Sequence, residues 1–433
     1  MRRILIGLLF VPFLVSAYAC SDGGSGSTIA PVGEGGSDAA SEGSVVAPPS
    51  DASSSGEVGP PPPLTVTRLG AGTAHACAVR SDKSVACWGD NGTYQLGVVD
   101  AGGATGAVSA LTLTGPLTGA VSLLGTFASS CALLDTAQLV CWGSNTQGLL
   151  GNLAAGQTAV PTLVGTLTDV VAITGGSKHA CLLRKGGKAF CWGNNDDEQL
   201  GSGIPGAGNS GAPAPVEAPT GLKFIGSGAA SFHTCAIRDD DQVVCWGRNN
   251  KTGQLGAPTF DEVRSALPLL VDNVQDAIRV ATGLDHSCAI RKGGTVRCWG
   301  ANDYGQVGFG TPAPLAVEKI AQDVPGVTDA VALALGARTS CVVRQSGKVS
   351  CWGFGGSGSL GAGALDGGDT QKSPVDVAGI TDAADIASGS GFSCVVRSNG
   401  KVACWGARDK GQLGAPNADG GLFSNVPVDV VGL

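Results

Sequence analysis

Fifteen cysteines and four histidines are the residues of this 433-residue chain best equipped for chemistry, and they are spaced with great regularity. The string Cys-Trp-Gly occurs seven times, starting at Cys87, Cys141, Cys191, Cys245, Cys298, Cys351 and Cys404. Each copy has a second cysteine ten residues earlier, at Cys77, Cys131, Cys181, Cys235, Cys288, Cys341 and Cys394. The histidines, His75, His179, His233 and His286, all stand two residues before the first cysteine of a pair. Three chemistries use such groups: a histidine-activated thiolate, a metal site, or a disulfide. Structural zinc favours cysteines two to four apart and needs four ligands, which a ten-residue spacing with no second pair nearby does not supply. Disulfides fit the arithmetic, because seven pairs consume 14 cysteines and leave only Cys20.

The elements that would hold these pairs can be derived by counting. In Cys181 to Cys191 a turn at Lys185-Gly186-Gly187 places Arg184 opposite Lys188, Leu183 opposite Ala189, Leu182 opposite Phe190 and Cys181 opposite Cys191. Alternation of bonded and non-bonded pairs puts the cysteines on a non-hydrogen-bonded pair, where Cα atoms approach to about 4.5 Å, within disulfide reach. Such a turn needs a left-handed residue. Glycine supplies it at Gly187, Gly294, Gly347 and Gly400, whereas Lys83, Ala137 and Asp241 hold the place in the other repeats. Each bridge closes a short loop and contributes at most roughly 2–3 kcal/mol in the chain-entropy account.

Around each hairpin lies a unit of about 53 residues, judged from Cys-Trp-Gly spacings of 54, 50, 54, 53, 53 and 53. After Cys-Trp-Gly comes a polar stretch and a signature such as Gly253-Gln254-Leu255-Gly256 or Gly411-Gln412-Leu413-Gly414, then a proline-led strand such as Pro161 to Val164 and a second strand such as Val170 to Thr174. Four short strands with glycine turns make one blade of a propeller, and 70 glycines suit so many turns. The expected fold is an all-β, seven-bladed β-propeller, with all seven tryptophans wedged between adjacent blades. The first repeat opens at Leu64 without a proline-led strand and the chain ends on one, Val426 to Val431. Ring closure is therefore expected through pairing of the C-terminal strand with the N-terminal blade opened by Thr65 to Arg80, which would remove unpaired sheet edges.

The segment Val170 to Gly201, VVAITGGSKHACLLRKGGKAFCWGNNDDEQLG, resembles the regulator-of-chromosome-condensation repeat, and the resemblance covers 64–433. It implies a seven-bladed propeller with a protein-binding role. The paired cysteines resemble an exported bacterial branch of that family rather than its nuclear members.

Ahead of the repeats, residues 1–19 read as a signal peptide, with Arg2-Arg3, an apolar run from Ile4 to Val15, and Ala17-Tyr18-Ala19 before Cys20. Cys20 is the expected lipidation site, giving an outer-membrane or cell-surface lipoprotein; simple cleavage would give a secreted one. Either places the chain where disulfides persist. Residues 20–63 read as a disordered tether: 26 of these 44 residues are Gly, Ser or Pro and none is Lys or Arg. Its ends would lie on the order of 35–40 Å apart as a random coil.

No catalytic residue, cofactor-binding residue or metal ligand is assigned. The histidines recur around the ring and read as framework, bonding a turn. Asp196-Asp197-Glu198 and Asp239-Asp240-Asp241 read as solvated turns, since neither has calcium-loop spacing. A formal charge of −8 disfavours phosphate backbones and hence nucleic acid. The expected role is a monomeric, non-enzymatic protein-binding propeller, joined to a membrane only through its N-terminal lipid. The alternative is a polysaccharide- or cell-wall-active hydrolase or lyase at the channel mouth, which requires two converging acid or base groups without repeat equivalents. Variable connections are the places for binding: Asp100 to Thr118, Ile204 to Thr220 and Ala362 to Lys372.

Overall fold

In each repeat, short runs of β-branched and apolar residues are separated by glycine-rich turns, some of whose residues take left-handed conformations, and four antiparallel strands stack side by side. The computed structural model describes residues 64–99, 107–113, 117–153, 156–217, 221–310, 316–364, 370–417 and 420–433. The expected signal peptide, Cys20 and the expected tether lie outside the described residues, as do parts of the three variable connections. Seven four-stranded sheets follow one another along the chain. The third is representative, with an innermost strand Val170–Gly175, a cysteine hairpin of His179–Arg184 and Lys188–Gly193, and an outermost proline-bearing strand Ser210–Pro215. The hairpin register matches the count from the sequence, including Cys181 opposite Cys191. Disulfides join all seven cysteine pairs, with Cα separations of 4.0–4.1 Å.

Lys83, Ala137 and Asp241 adopt φ of 64°, 60° and 66°, against 75° at Gly187 and 88° at Gly294. All seven hairpins thus place a left-handed residue at this position, three of them with a side chain in the strained region, and those of blades three and five add a second positive φ, at Gly186 (87°) and Gly293 (89°).

Ring closure differs from expectation. The C-terminal strand Phe423–Asp429 pairs with Val402–Ala407 of its own blade, Cys404 facing Val428, and does not join the N-terminal sheet. The first blade has its own outermost strand, Ala107–Thr112, in a stretch with no proline to announce it. Every proline-led strand therefore finishes the blade of the Cys-Trp-Gly before it, and no strand is exchanged. Closure is made by packing and hydrogen bonds instead. Val66, Leu69 and Trp88 share a core with Phe392, Val396 and Leu413. Val66 N donates to Gly400 O (2.9 Å), Ser390 N to Thr73 O (3.0 Å) and Arg80 Nη2 to Gly432 O (2.8 Å).

Candidate binding face and the framework beneath it

The repeated side chains are consumed in joining blades. All seven tryptophans are fully buried, and each indole N–H donates to a backbone carbonyl of the preceding blade's loop. Examples are Trp142 to Gln95 (3.0 Å), Trp246 to Gln199 (3.0 Å) and Trp352 to Gln306 (2.9 Å). This explains the Gly-Gln-Leu-Gly signature: the glutamine carbonyl receives the next blade's indole, while its side chain braces its own loop, as Gln412 Oε1 does by accepting from Lys410 N at 2.7 Å.

Histidines add a second link, which reaches beyond the expected turn contact: His233 Nδ1 does meet Ser231 of its own turn at 3.0 Å, but the bond common to all four runs between blades. Nε2 of His75, His179, His233 and His286 lies 2.7–2.9 Å from Ser130, Thr234, Ser287 and Ser340, hydroxyls of the next blade. Ser130 Oγ donates to Gln95 O, so it accepts from His75 Nε2–H. Nε2 therefore carries a proton, and a second proton on Nδ1 would find no partner, which favours the neutral imidazole. Burial accordingly lowers the pKa of His75 to about 4 and of His179 and His286 to about 3, and holds that of His233 well below the usual value.

Innermost strands of six blades, with the turn Ser227–Ala229 of blade four, line an axial cavity of about 170 Å³, its walls formed by groups such as Leu69, Leu123, Ile173 and Leu333 with glycine backbone between them. No charged side chain lines it. Blade four carries two more residues between its innermost and second strands than its neighbours, and the extra turn bridges one end of the channel. Thr73 Oγ1 of blade one donates to Ala229 O (3.1 Å), and Gly228 N donates to Thr282 Oγ1 of blade five (3.1 Å). A Cβ on Gly228 would stand 2.0 Å from Thr282 O, so only glycine fits. At the opposite end Asp385 and Arg68 line a hollow of about 290 Å³ between the last and first blades. Burial raises the Asp385 carboxyl, with Arg68 and Arg279 opposing. No second carboxylate lines that hollow.

The acidic runs divide. Asp196 is exposed, but Asp197 pairs with Arg248 (3.2 Å), and Glu198 is buried against Arg264 (3.4 Å), contrary to a solvated turn. Asp241 is held between Lys223 and Lys292, and Asp240 lies 3.0 Å from Arg238. Among the described residues no cluster of three potential metal ligands occurs.

Where repeats differ is the bridged face. In every blade the residue after Cys-Trp-Gly donates its N–H to the carbonyl of the residue before the second strand, as Arg248 does to Phe232 and Phe354 to Arg338. These backbones repeat while their side chains do not. Around the ring the two positions hold Ala74 and Asp90, Ala128 and Ser144, Lys178 and Asn194, Phe232 and Arg248, Asp285 and Ala301, Arg338 and Phe354, and Gly391 and Ala407. Blades four and six therefore carry an arginine and an aromatic group together, and blade five adds Tyr304 from its own loop. The Arg248 guanidinium lies 4.3 Å from the Phe232 ring centroid and that of Arg338 lies 4.5 Å from Tyr304, which meets Phe354 edge-on at 5.1 Å. Between them burial raises the Asp285 carboxyl, against the pull of Arg248 and Arg338. These residues were not singled out from the sequence. The signal available was their place beside invariant columns, with chemistry that changes from repeat to repeat. Of the variable connections singled out, Ile204 is exposed and Pro205 borders a groove of about 400 Å³ with Phe260 and Leu267.

A ring of four-stranded blades, each pinned to the next by an indole-to-carbonyl bond, defines a propeller scaffold of seven quasi-equivalent repeats. The chain belongs to the RCC1-like domain family, whose model matches residues 32–381; a regulator of chromosome condensation (RCC1) repeat matches 383–412. It is 32% identical over 184 residues to mouse probable E3 ubiquitin-protein ligase HERC4, covering 42% of this chain and 17% of that protein. It is 28% identical over 219 residues to the mitochondrial RCC1 domain-containing protein RUG3 of Arabidopsis thaliana, covering 48% and 47%. The chain spans less than half the length of these curated relatives. Among solved structures, Prp20p of Saccharomyces cerevisiae superposes with a TM-score of 0.70 at 18% identity, over 85% of this chain and 87% of that one. Human WBSCR16 gives 0.67 at 19%, over 77% and 87%.

Proposed function

We propose that the chain is a non-enzymatic, protein-binding propeller that works outside the cytosol, carried on residues 20–63 and anchored through an acylated Cys20 or released after cleavage. The observation that carries this reading is the division of labour on the ring: repeated cysteine, histidine and tryptophan side chains are spent on the framework, and the bridged face varies. Arginine and aromatic residues are the commonest anchors of protein interfaces, and they gather there on neighbouring blades. Seven disulfides fit an oxidising compartment. Prp20p, which shares the fold, is described by its binding to Gsp1p and histones, which supports a protein as the partner class. A hydrolase or lyase finds less support, since the axial cavity is lined without charge and the open mouth offers Asp385 beside arginines rather than a second acid.

The test is crosslinking on intact cells of the source organism, paired with mass spectrometry of the mature N-terminus. The reading expects a reproducible protein crosslinked to the bridged face and a chain that begins at Cys20 carrying acyl groups, or a free N-terminus close to it. A full-length, unprocessed chain in the cytosol with reduced cysteines would overturn it.

A further inference from the structure

Two blade boundaries build nearly the same cluster from swapped residues, and only one of them ties its arginine into a salt bridge. Between blades three and four, Arg248 covers Phe232 and meets Asp197 at 3.2 Å, so its charge is balanced within the chain. Between blades five and six the corresponding cluster is Tyr304, Arg338 and Phe354, with Tyr304 in the place of Asp197. Arg338 is exposed and, among the described residues, no carboxylate forms a salt bridge with it. Its guanidinium is held over Tyr304, and Tyr304 is steadied in turn by Phe354, so much of the rotamer entropy lost on binding has been given up in advance. Lys178, at the position equivalent to Arg338 two boundaries before the Asp285 blade's own, is likewise exposed. The Asp285 carboxylate acts on the Arg338 guanidinium from a distance, without a salt bridge.

We propose that the Arg338–Tyr304–Phe354 cluster receives an aspartate or glutamate side chain of a protein partner, with apolar partner surface packing on Tyr304 and Phe354. The partner's carboxylate takes the part that Asp197 plays for Arg248. This rests on the protein-binding reading and narrows it to one face, one cluster and one partner chemistry.

The experiment pans the oxidised full-length chain against random displayed peptides, then measures the enriched peptides by fluorescence anisotropy on the parent protein and on Arg338→Met, Arg338→Lys and Phe354→Ala. Melting curves of the variants, which alter exposed or half-buried groups, verify that each is folded. Expected are sequences enriched in Asp or Glu beside an aromatic or aliphatic residue, binding that weakens with salt, a loss of about tenfold or more in Arg338→Met, and a smaller loss in Arg338→Lys. Enriched peptides without acidic residues, or binding unchanged in Arg338→Met, would overturn the cluster assignment while leaving protein binding intact. Arg338-dependent binding of polygalacturonate with no enriched peptide would overturn it in favour of an acidic polysaccharide. No enriched peptide together with no crosslinked partner on cells would overturn the protein-binding reading itself.

Discussion

Trp88 Nε1 donates to the carbonyl of Gln412 at 3.0 Å across 324 residues of chain, the same bond that Trp246 makes to Gln199 within the ring. The first and last blades are therefore joined by the contact used everywhere else, with no exchanged strand. Trp88→Phe removes the donor, strands a buried carbonyl and should cost about 1–3 kcal/mol. Trp246→Phe should cost a similar amount. Urea unfolding of both variants checks this; a costly Trp246→Phe beside a neutral Trp88→Phe would mean that the seam is open.

Ala137 sits at φ 60° in a turn where four sister hairpins carry glycine. A left-handed conformation costs an L-residue about 1–2 kcal/mol, partly returned by the lower chain entropy of alanine. Ala137→Gly should raise stability by up to ~1 kcal/mol, an unusual direction for a glycine substitution in a β-hairpin. Thermal melts would show it as a higher Tm, and a lower Tm would contradict the turn assignment.

The buried histidines tie stability to pH. Their folded pKa values lie below the ordinary 6.5, at about 4 for His75 and about 3 for His179 and His286. Unfolded histidines take up protons that folded ones refuse, so the full stabilisation is present above pH 6.5 and drains away as pH falls toward those values. At about 1.4 kcal/mol per unit for each site, the loss should reach several kcal/mol. Denaturant curves at about pH 7 and pH 4.5 measure it. His179→Phe with His286→Phe, the residue blade seven carries as Phe392, should flatten the slope; an unchanged slope would place the acid sensitivity elsewhere.

Much of the scaffold could be read directly because each cue is local. Cys181 and Cys191 fix the hairpin register by counting, and seven copies fix the blade number. Ring closure was misjudged because the outermost strand of blade one, Ala107–Thr112, lacks the proline that marks Pro161 or Pro427 in their blades. The histidine partners lie 54 or 55 residues away on the next blade, a distance that no local pattern encodes. The bridging turn at Ala229 is two inserted residues, visible in the repeat lengths, yet its reach to Thr73 comes from the ring's geometry. Arg338 and Tyr304 are 34 positions apart in sequence and meet only because consecutive blades abut.

The central claim is that the repeated reactive residues are staples of a ring made for an oxidising compartment, leaving the face between them for recognition. Peptide mapping without reductant, on protein recovered from its native location, tests this most directly. The account predicts seven linkages, each within one repeat from Cys77–Cys87 to Cys394–Cys404, and none between blades. Free thiols at most of these positions, or zinc released on their modification, would contradict it.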